Sequence, residues 1–190
     1  MKFYIISDTH FNHGEIATYC DRPKNFTELI IRYCQNTIKP EDVVIHVGDV
    51  FIGKVEDWMK VRQQLPGTWW LIRGNHDKHS CAWWVEHGFA FAADAMIFRG
   101  AWITHKPSEF LPPDCMVNIH GHLHNIWNGF HPNDPAKTDE DFKVSSAGRL
   151  KHPWQRLFSV EYTKYMPVEF DKFVAHPDRY NSRGPNGAGH

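Results

Sequence analysis

The sequence predicts an α/β fold in which two β-sheets form a sandwich flanked by helices. Three observations lead there. Apolar runs alternate with helix-period segments through the first half, the pattern of strand–helix–strand units. Strand-like runs in pairs, without helices between them, dominate the second half. Five of the apolar runs also stop at the same kind of sequence, a turn carrying aspartate, asparagine or histidine.

Residues 2–6 read as a buried first strand, stopped by Ser7-Asp8-Thr9-His10. Residues 26–38 set Leu29, Ile30, Tyr33, Cys34 and Ile38 along one side of a helix, which Pro40 ends. Residues 43–47 form a second strand leading into Gly48-Asp49. Residues 55–65 are again helical and are closed by Pro66-Gly67. The third strand, 68–72, runs into Arg73-Gly74-Asn75-His76-Asp77, and a short helix over 79–87 stops at Gly88. Beyond it, 96–98 and 101–104 flank Arg99-Gly100 as a hairpin, and 115–119 is a strand ahead of His120-Gly121-His122.

Residues 128–142, rich in Asn, Pro, Asp and Lys, read as a long exposed loop whose Asp139-Glu140-Asp141 run is a solvated surface. Two late strands are expected near 156–162 and 167–170. The Gly- and Pro-rich stretch from Asn181 to His190 reads as a disordered tail, leaving residues 1–180 as one domain. No internal repeat is visible.

Composition narrows the function. The 190 residues are 42% hydrophobic and 23% charged, ordinary for a globular protein, and the formal net charge of -1 gives no global field for non-specific nucleic-acid binding. Cys20, Cys34, Cys81 and Cys115 contain no C-x-x-C pair, which removes a zinc ribbon or dithiol redox site. The start of the chain is too short and too quickly polar for a signal peptide, and no run approaches a membrane span. These features, with unpaired cysteines, lead us to expect a cytoplasmic protein. Histidine is the unusual residue, with 14 copies dispersed along the chain.

Open α/β sheets bind ligands at the carboxyl ends of their strands. Collected there are Asp8, His10, Asp49, Asn75, His105, His122 and His124, seven nitrogen and oxygen donors. A mononuclear site needs three or four. Seven donors with one shared carboxylate fit two metals of four protein ligands each, and Asp49 is the natural bridge because it lies between the two groups in chain order. Gly74 and Gly121 let the backbone bend tightly before the ligands. Taken singly, each block has a plainer reading: Asp49 caps a turn, Asn75-His76-Asp77 is a helix N-cap, and His122-Leu123-His124 is a solvent-exposed loop. All of them together would require five coincidences in one order.

These blocks resemble the calcineurin-like metallophosphoesterase superfamily. Its pattern is D-x-H, G-D, G-N-H-[DE], H and G-H-x-H, matched here by Asp8-Thr9-His10, Gly48-Asp49, Gly74-Asn75-His76-Asp77, His105 and Gly121-His122-Leu123-His124. The resemblance covers roughly residues 3–125, and Phe158 to Val168 looks like the closing strands of small bacterial and phage members. It implies a four-layer α/β/β/α arrangement. It implies that Asp8, His10, Asp49 and His124 hold a first metal, and Asp49, Asn75, His105 and His122 a second. His76 would face the substrate's leaving oxygen as general acid, and Asp77 would orient that imidazole or tune its charge.

Two cations roughly 3.5–4 Å apart would clamp a phosphoryl group and ionise a bridging water that attacks phosphorus in line. Such mixed donors accept Mn²⁺, Fe²⁺, Zn²⁺, Ni²⁺, Co²⁺ or Mg²⁺, and the lack of thiolates favours Mn²⁺. His13, Arg22 and Trp127 are candidates for touching substrate: His13 overlooks the first block, Arg22 could grip a phosphate or form a solvent-facing salt bridge, and Trp127 could stack a base. His46 reads as a core group near the site, and His120 as intermediate.

The chain lacks the V-D-R-G segment and G-N-H-E of the Ser/Thr phosphatases, and has no room for the extra domains of the double-strand-break nucleases. The expectation is hydrolysis of a small phosphodiester, a nucleotide or a nucleic-acid end, with no membrane partner. A phosphomonoesterase and a metal-binding scaffold without catalysis are the rivals.

Overall fold

The computed structural model describes residues 1–124 and 152–176. In them β1 (Phe3–Ile6), β2 (Val43–His46) and β3 (Thr68–Ile72) are parallel neighbours, and all four β2 residues are buried, as expected of a strand covered on both faces. β4 (Phe91–Ala93) extends this sheet in parallel beyond β3, and β9 (Val168–Glu169) closes its other edge antiparallel to β1. The order is β4-β3-β2-β1-β9. The second sheet, β5-β6-β7-β8, comprises Ala95–Phe98, Ala101–Thr104, Val117–His120 and Gln155–Leu157. Its β5–β6 hairpin turns at Arg99 and Gly100, with φ of 49° and 73°, as a two-residue turn matched to strand twist requires. β6, β7 and β8 are parallel.

The sheets meet through aromatic rings. Phe3 of β1 lies 4.8 Å from Phe98 of β5, and Phe98 lies 5.1 Å from Phe170. Helices α2 (Phe26–Thr37), α3 (Val55–Arg62) and α4 (Cys81–Glu86) carry the expected segments. Trp58 of α3 sits among Phe51, Trp84 and Phe89 at 5.6, 6.1 and 5.6 Å, its indole N–H donating to the His87 carbonyl. The result is a mixed α/β fold of two sheets flanked by helices.

Four elements depart from expectation. Residues 156–162 do not form one strand: pairing ends at Leu157, and the chain turns from Val160. Phe158, Ser159 and Val160 are all fully buried, so there is no solvent face for an alternating strand to present. Residues 167–170 pair only at Val168–Glu169, after which Phe170–Ala175 is a helix, α5, burying Phe170 and Phe173 at helical spacing. A short helix, α1 (Gly14–Tyr19), and β4 had no sequence signal strong enough to read. Trp127, the 128–142 loop and the 181–190 tail lie outside the described residues.

Candidate metal centre

Because β1, β2 and β3 are parallel, their carboxyl ends share one edge, and so do those of β6 and β7 in the facing sheet. Bonds between the sheets bring the two edges together. The His122 N–H donates to the Asp8 carboxylate at 3.1 Å, and His105 Nδ1 lies 2.8 Å from the Val47 carbonyl. With its Nδ1 proton on that carbonyl, His105 turns Nε2 inward.

Six of the seven expected donors fall into two groups. Asp8, His10 and His124 place one ligand atom each within 4.8 Å of one another, and Asp49, His105 and His122 do the same. The seventh, Asn75, has Oδ1 3.0 Å from His105 Nε2. One oxygen, Asp49 Oδ2, lies 3.7 Å from His10 Nε2 and 3.3 Å from His105 Nε2, so it faces both groups. His10 is 2% exposed, and neither of its ring nitrogens has a hydrogen-bond partner. Orphaned buried nitrogens beside buried carboxylates are what a cation would satisfy. The donor set, carboxylate, imidazole and amide, suits a divalent ion.

The backbone is held in costly shapes to achieve this. Asp8, His10, Asp49, His122 and His124 have φ of 52°, 45°, 58°, 69° and 46°, the left-handed region where side chains other than glycine are strained. Gly74 and Gly121 act differently from expectation. Neither has positive φ; what each supplies is the lack of a side chain. A Cβ on Gly74 would lie 2.1 Å from Asp49 Oδ1, and one on Gly121 2.2 Å from Asp8 Oδ2.

A family model, Metallophos, described as calcineurin-like phosphoesterase, matches residues 1–188. The chain belongs to the calcineurin-like phosphoesterase family. An uncharacterized protein of Methanocaldococcus jannaschii, MJ1445, is 37% identical over 133 residues, which are 65% of this chain and 69% of that protein. Among solved structures, a protein of unknown function from Aquifex aeolicus, AQ665, superposes at a TM-score of 0.65 with 24% identity, over 92% of this chain and 98% of that one. That likeness is one of fold. The nuclease MPE of Pseudomonas putida aligns at a TM-score of 0.42 and 21% identity over 64% of this chain and 60% of its own.

Around this phosphoesterase-family centre, His76 is exposed, its ring 5.4 Å from that of His10 and its backbone N–H donating to Asp49 Oδ1 at 2.8 Å. Asp77 is not placed as expected. Its carboxylate accepts from the backbone N–H groups of Asp49, Val50 and Gly74 at 2.8, 3.0 and 2.7 Å, with no bond to the His76 ring among the described residues. It ties the turns after β2 and β3 together; burial pushes its carboxyl pKa up, and those donors oppose the rise.

Arg22 is neither solvent-facing nor free for a phosphate. It is 5% exposed, donates to the Asp8 and Thr9 carbonyls at 2.8 and 2.9 Å, and pairs with Glu161 at 2.6 Å. Glu161 escaped the sequence reading because it lay inside the apparent strand 156–162; a lone carboxylate in an apolar stretch was the only signal. Cys20, His124 and Glu161 form a third close trio, but the Arg22 guanidinium already supplies its positive charge. His13 is half-buried, its ring 5.4 Å from that of His10 and its Nε2 3.7 Å from Glu15. His46 is fully buried, with Nε2 2.9 Å from the Thr9 hydroxyl.

The histidines divide electrically. Burial pulls His10 down to about 2, His46 to about 3 and His122 to about 4, leaving them neutral with lone pairs free at neutral pH. Burial also opposes charge on His105, yet the Asp49 hydrogen bond and the charge of Asp8 raise it to about 9. His124 is raised well above 6.5 because Asp8 and Glu161 overcome its burial.

For the metal-free protein the signs follow from linkage. Raised His105 and His124 stabilise fully below pH 6.5; the His105 contribution is lost as pH rises through about 9, and that of His124 also shrinks as pH climbs above 6.5. Lowered His10, His46 and His122 cost stability as pH falls below 6.5, where the unfolded chain takes up protons that the fold refuses. Urea denaturation in chelator should therefore peak near neutral pH and lose about 1–3 kcal/mol by pH 9. A stability that climbs steadily to pH 9 would refute the assignment.

Proposed function

We propose that this protein hydrolyses small phosphodiesters, with two divalent ions held by the two donor groups. The position of Asp49 Oδ2 between those groups carries the reading. Asp8, His10, Asp49 and His124 would hold one ion, and Asp49, Asn75, His105 and His122 the other. Such ions polarise a phosphoryl oxygen and bring the pKa of a bound water toward neutrality. Mn²⁺ is our preferred metal, since no thiolate lies in either group and burial raises the thiol of nearby Cys20.

The chain's own groups do the rest. His76 stands on the solvent side of the first group, tethered by its backbone to Asp49, where its imidazole can protonate a departing alkoxide. A cleft of about 370 Å³, whose lining includes Asn75, Thr104, His105, Lys106 and Ser108, opens beside the second group. It gives the leaving half of a nucleotide or a nucleic-acid end room beside a cationic side chain. A cytoplasmic setting accords with four cysteines of which none is in a disulfide, and no helix among the described residues is long and apolar enough to cross a membrane.

Hydrolysis of bis-p-nitrophenyl phosphate and p-nitrophenyl phosphate, with each divalent metal and a nucleotide panel, tests this. The diester should be cleaved faster, and His76→Ala should slow it about 10²–10⁴-fold with both metals still bound. Preference for the monoester would favour a phosphomonoesterase. Metal-loaded protein inert toward every substrate would favour a scaffold.

A further inference from the structure

We propose that Glu161, far from every ligand block in sequence, is a positioning residue for His124. The inference rests on the two-metal reading above. His124 has one nitrogen on each side of a boundary. Its Nε2 lies 3.4 Å from Asp8 Oδ1, toward the first donor group, and its Nδ1 lies 3.2 Å from Glu161 Oε1, away from it. A ligand nitrogen must be unprotonated, so Nδ1 must carry the proton, and Glu161 is the acceptor in reach. The Arg22 Nη2, 3.3 Å from the same Nδ1, has only protons to offer and cannot take it. A carboxylate behind a ligating imidazole fixes the tautomer and ring orientation and makes the ligand more basic.

Glu161 is itself held on every side. Arg22 donates to its Oε1 from Nε at 2.9 Å and Nη2 at 2.6 Å, and the Ser159 hydroxyl donates to Oε2. The Arg22 and Glu161 side chains are 0% and 4% exposed. Arg22 also donates to the carbonyls of Asp8 and Thr9, the turn that presents the first two ligands. One buried ion pair thus braces both contributors to the first group, the Asp8 turn and His124. Burying such a pair costs desolvation, and its geometry is spent on those two turns. The second group, Asp49, His105 and His122, has no hydrogen bond or ion pair with Glu161 among the described residues.

That asymmetry gives the test. Mn²⁺ is titrated calorimetrically into the metal-free full chain, wild type and Glu161→Gln. Glutamine keeps the shape and an acceptor for Arg22 but removes the charge behind His124. One of two ions should bind about 10–100-fold more weakly, the other as before. In the Zn²⁺-loaded protein the His124 Nδ1–H resonance, identified by its loss in His124→Ala, should move upfield in Glu161→Gln, a shift that a merely structural role would not give. Should Glu161→Gln fail to fold, Glu161→Asp keeps the charge for Arg22 while drawing the carboxylate back from Nδ1, and the same one-site loss is expected. Two ions bound by either folded variant as tightly as by wild type would overturn the proposal. Wild type that binds fewer than two ions would instead overturn the two-metal reading.

Discussion

Replacing Asp49 by asparagine is expected to cost more activity than any other single ligand change, about 10³-fold in diester hydrolysis. The side chains have the same shape, so the difference is chemical. Asparagine can still accept the His76 N–H through one oxygen, as Asp49 Oδ1 does at 2.8 Å. Where Oδ2 now faces His10 Nε2 at 3.7 Å and His105 Nε2 at 3.3 Å, it would present a neutral oxygen or an amide with its protons pointing at the cations. Both donor groups lose a carboxylate at once.

His10→Ala supplies the contrast, since it removes a donor from the first group alone. Mn²⁺ stoichiometry and bis-p-nitrophenyl phosphate turnover measured together separate the cases. Asp49→Asn should weaken both ions and His10→Ala one. An Asp49→Asn protein that holds two ions and turns over within about tenfold of wild type would remove Asp49 from its central place.

The turns that carry the candidate donors are legible because each follows directly on an apolar run, and parallel strands bring the ends of such runs to a common edge. Period and punctuation therefore carry Asp8, Asp49, Asn75, His105 and His122 into the site without any knowledge of register. What braces those turns was illegible. Arg22 and Glu161 are 139 residues apart, and only the folded chain shows that Arg22 turns inward onto the Asp8 and Thr9 carbonyls. The left-handed backbone at five of the candidate donor positions also leaves no mark in the sequence. Glycine or asparagine would announce it, and the chemistry here demands aspartate and histidine instead. At the far end, Val168-Glu169-Phe170 is too short to tell an alternating strand from the start of a helix, and it proved to be both.

Asp77 is where the sequence and the structure predict different experiments. If it tuned the His76 imidazole, Asp77→Ala would lower turnover at saturating metal while leaving stability almost unchanged. The structure predicts the reverse. Its two oxygens take three backbone protons, from Asp49, Val50 and Gly74, and alanine would leave those donors buried without acceptors. At about 1–3 kcal/mol for each unsatisfied group, partly relieved by entering water, the loss should be about 2–4 kcal/mol. A chain of this size should then melt roughly 5–15 °C lower. The two turns that Asp77 joins carry Asp49 and Asn75, so metal affinity should fall as well, whereas turnover at saturating metal should stay near that of wild type in the protein that remains folded. A melting temperature equal to wild type together with turnover lowered at saturating metal would return Asp77 to the catalytic role and take from it the joining of the β2 and β3 ends.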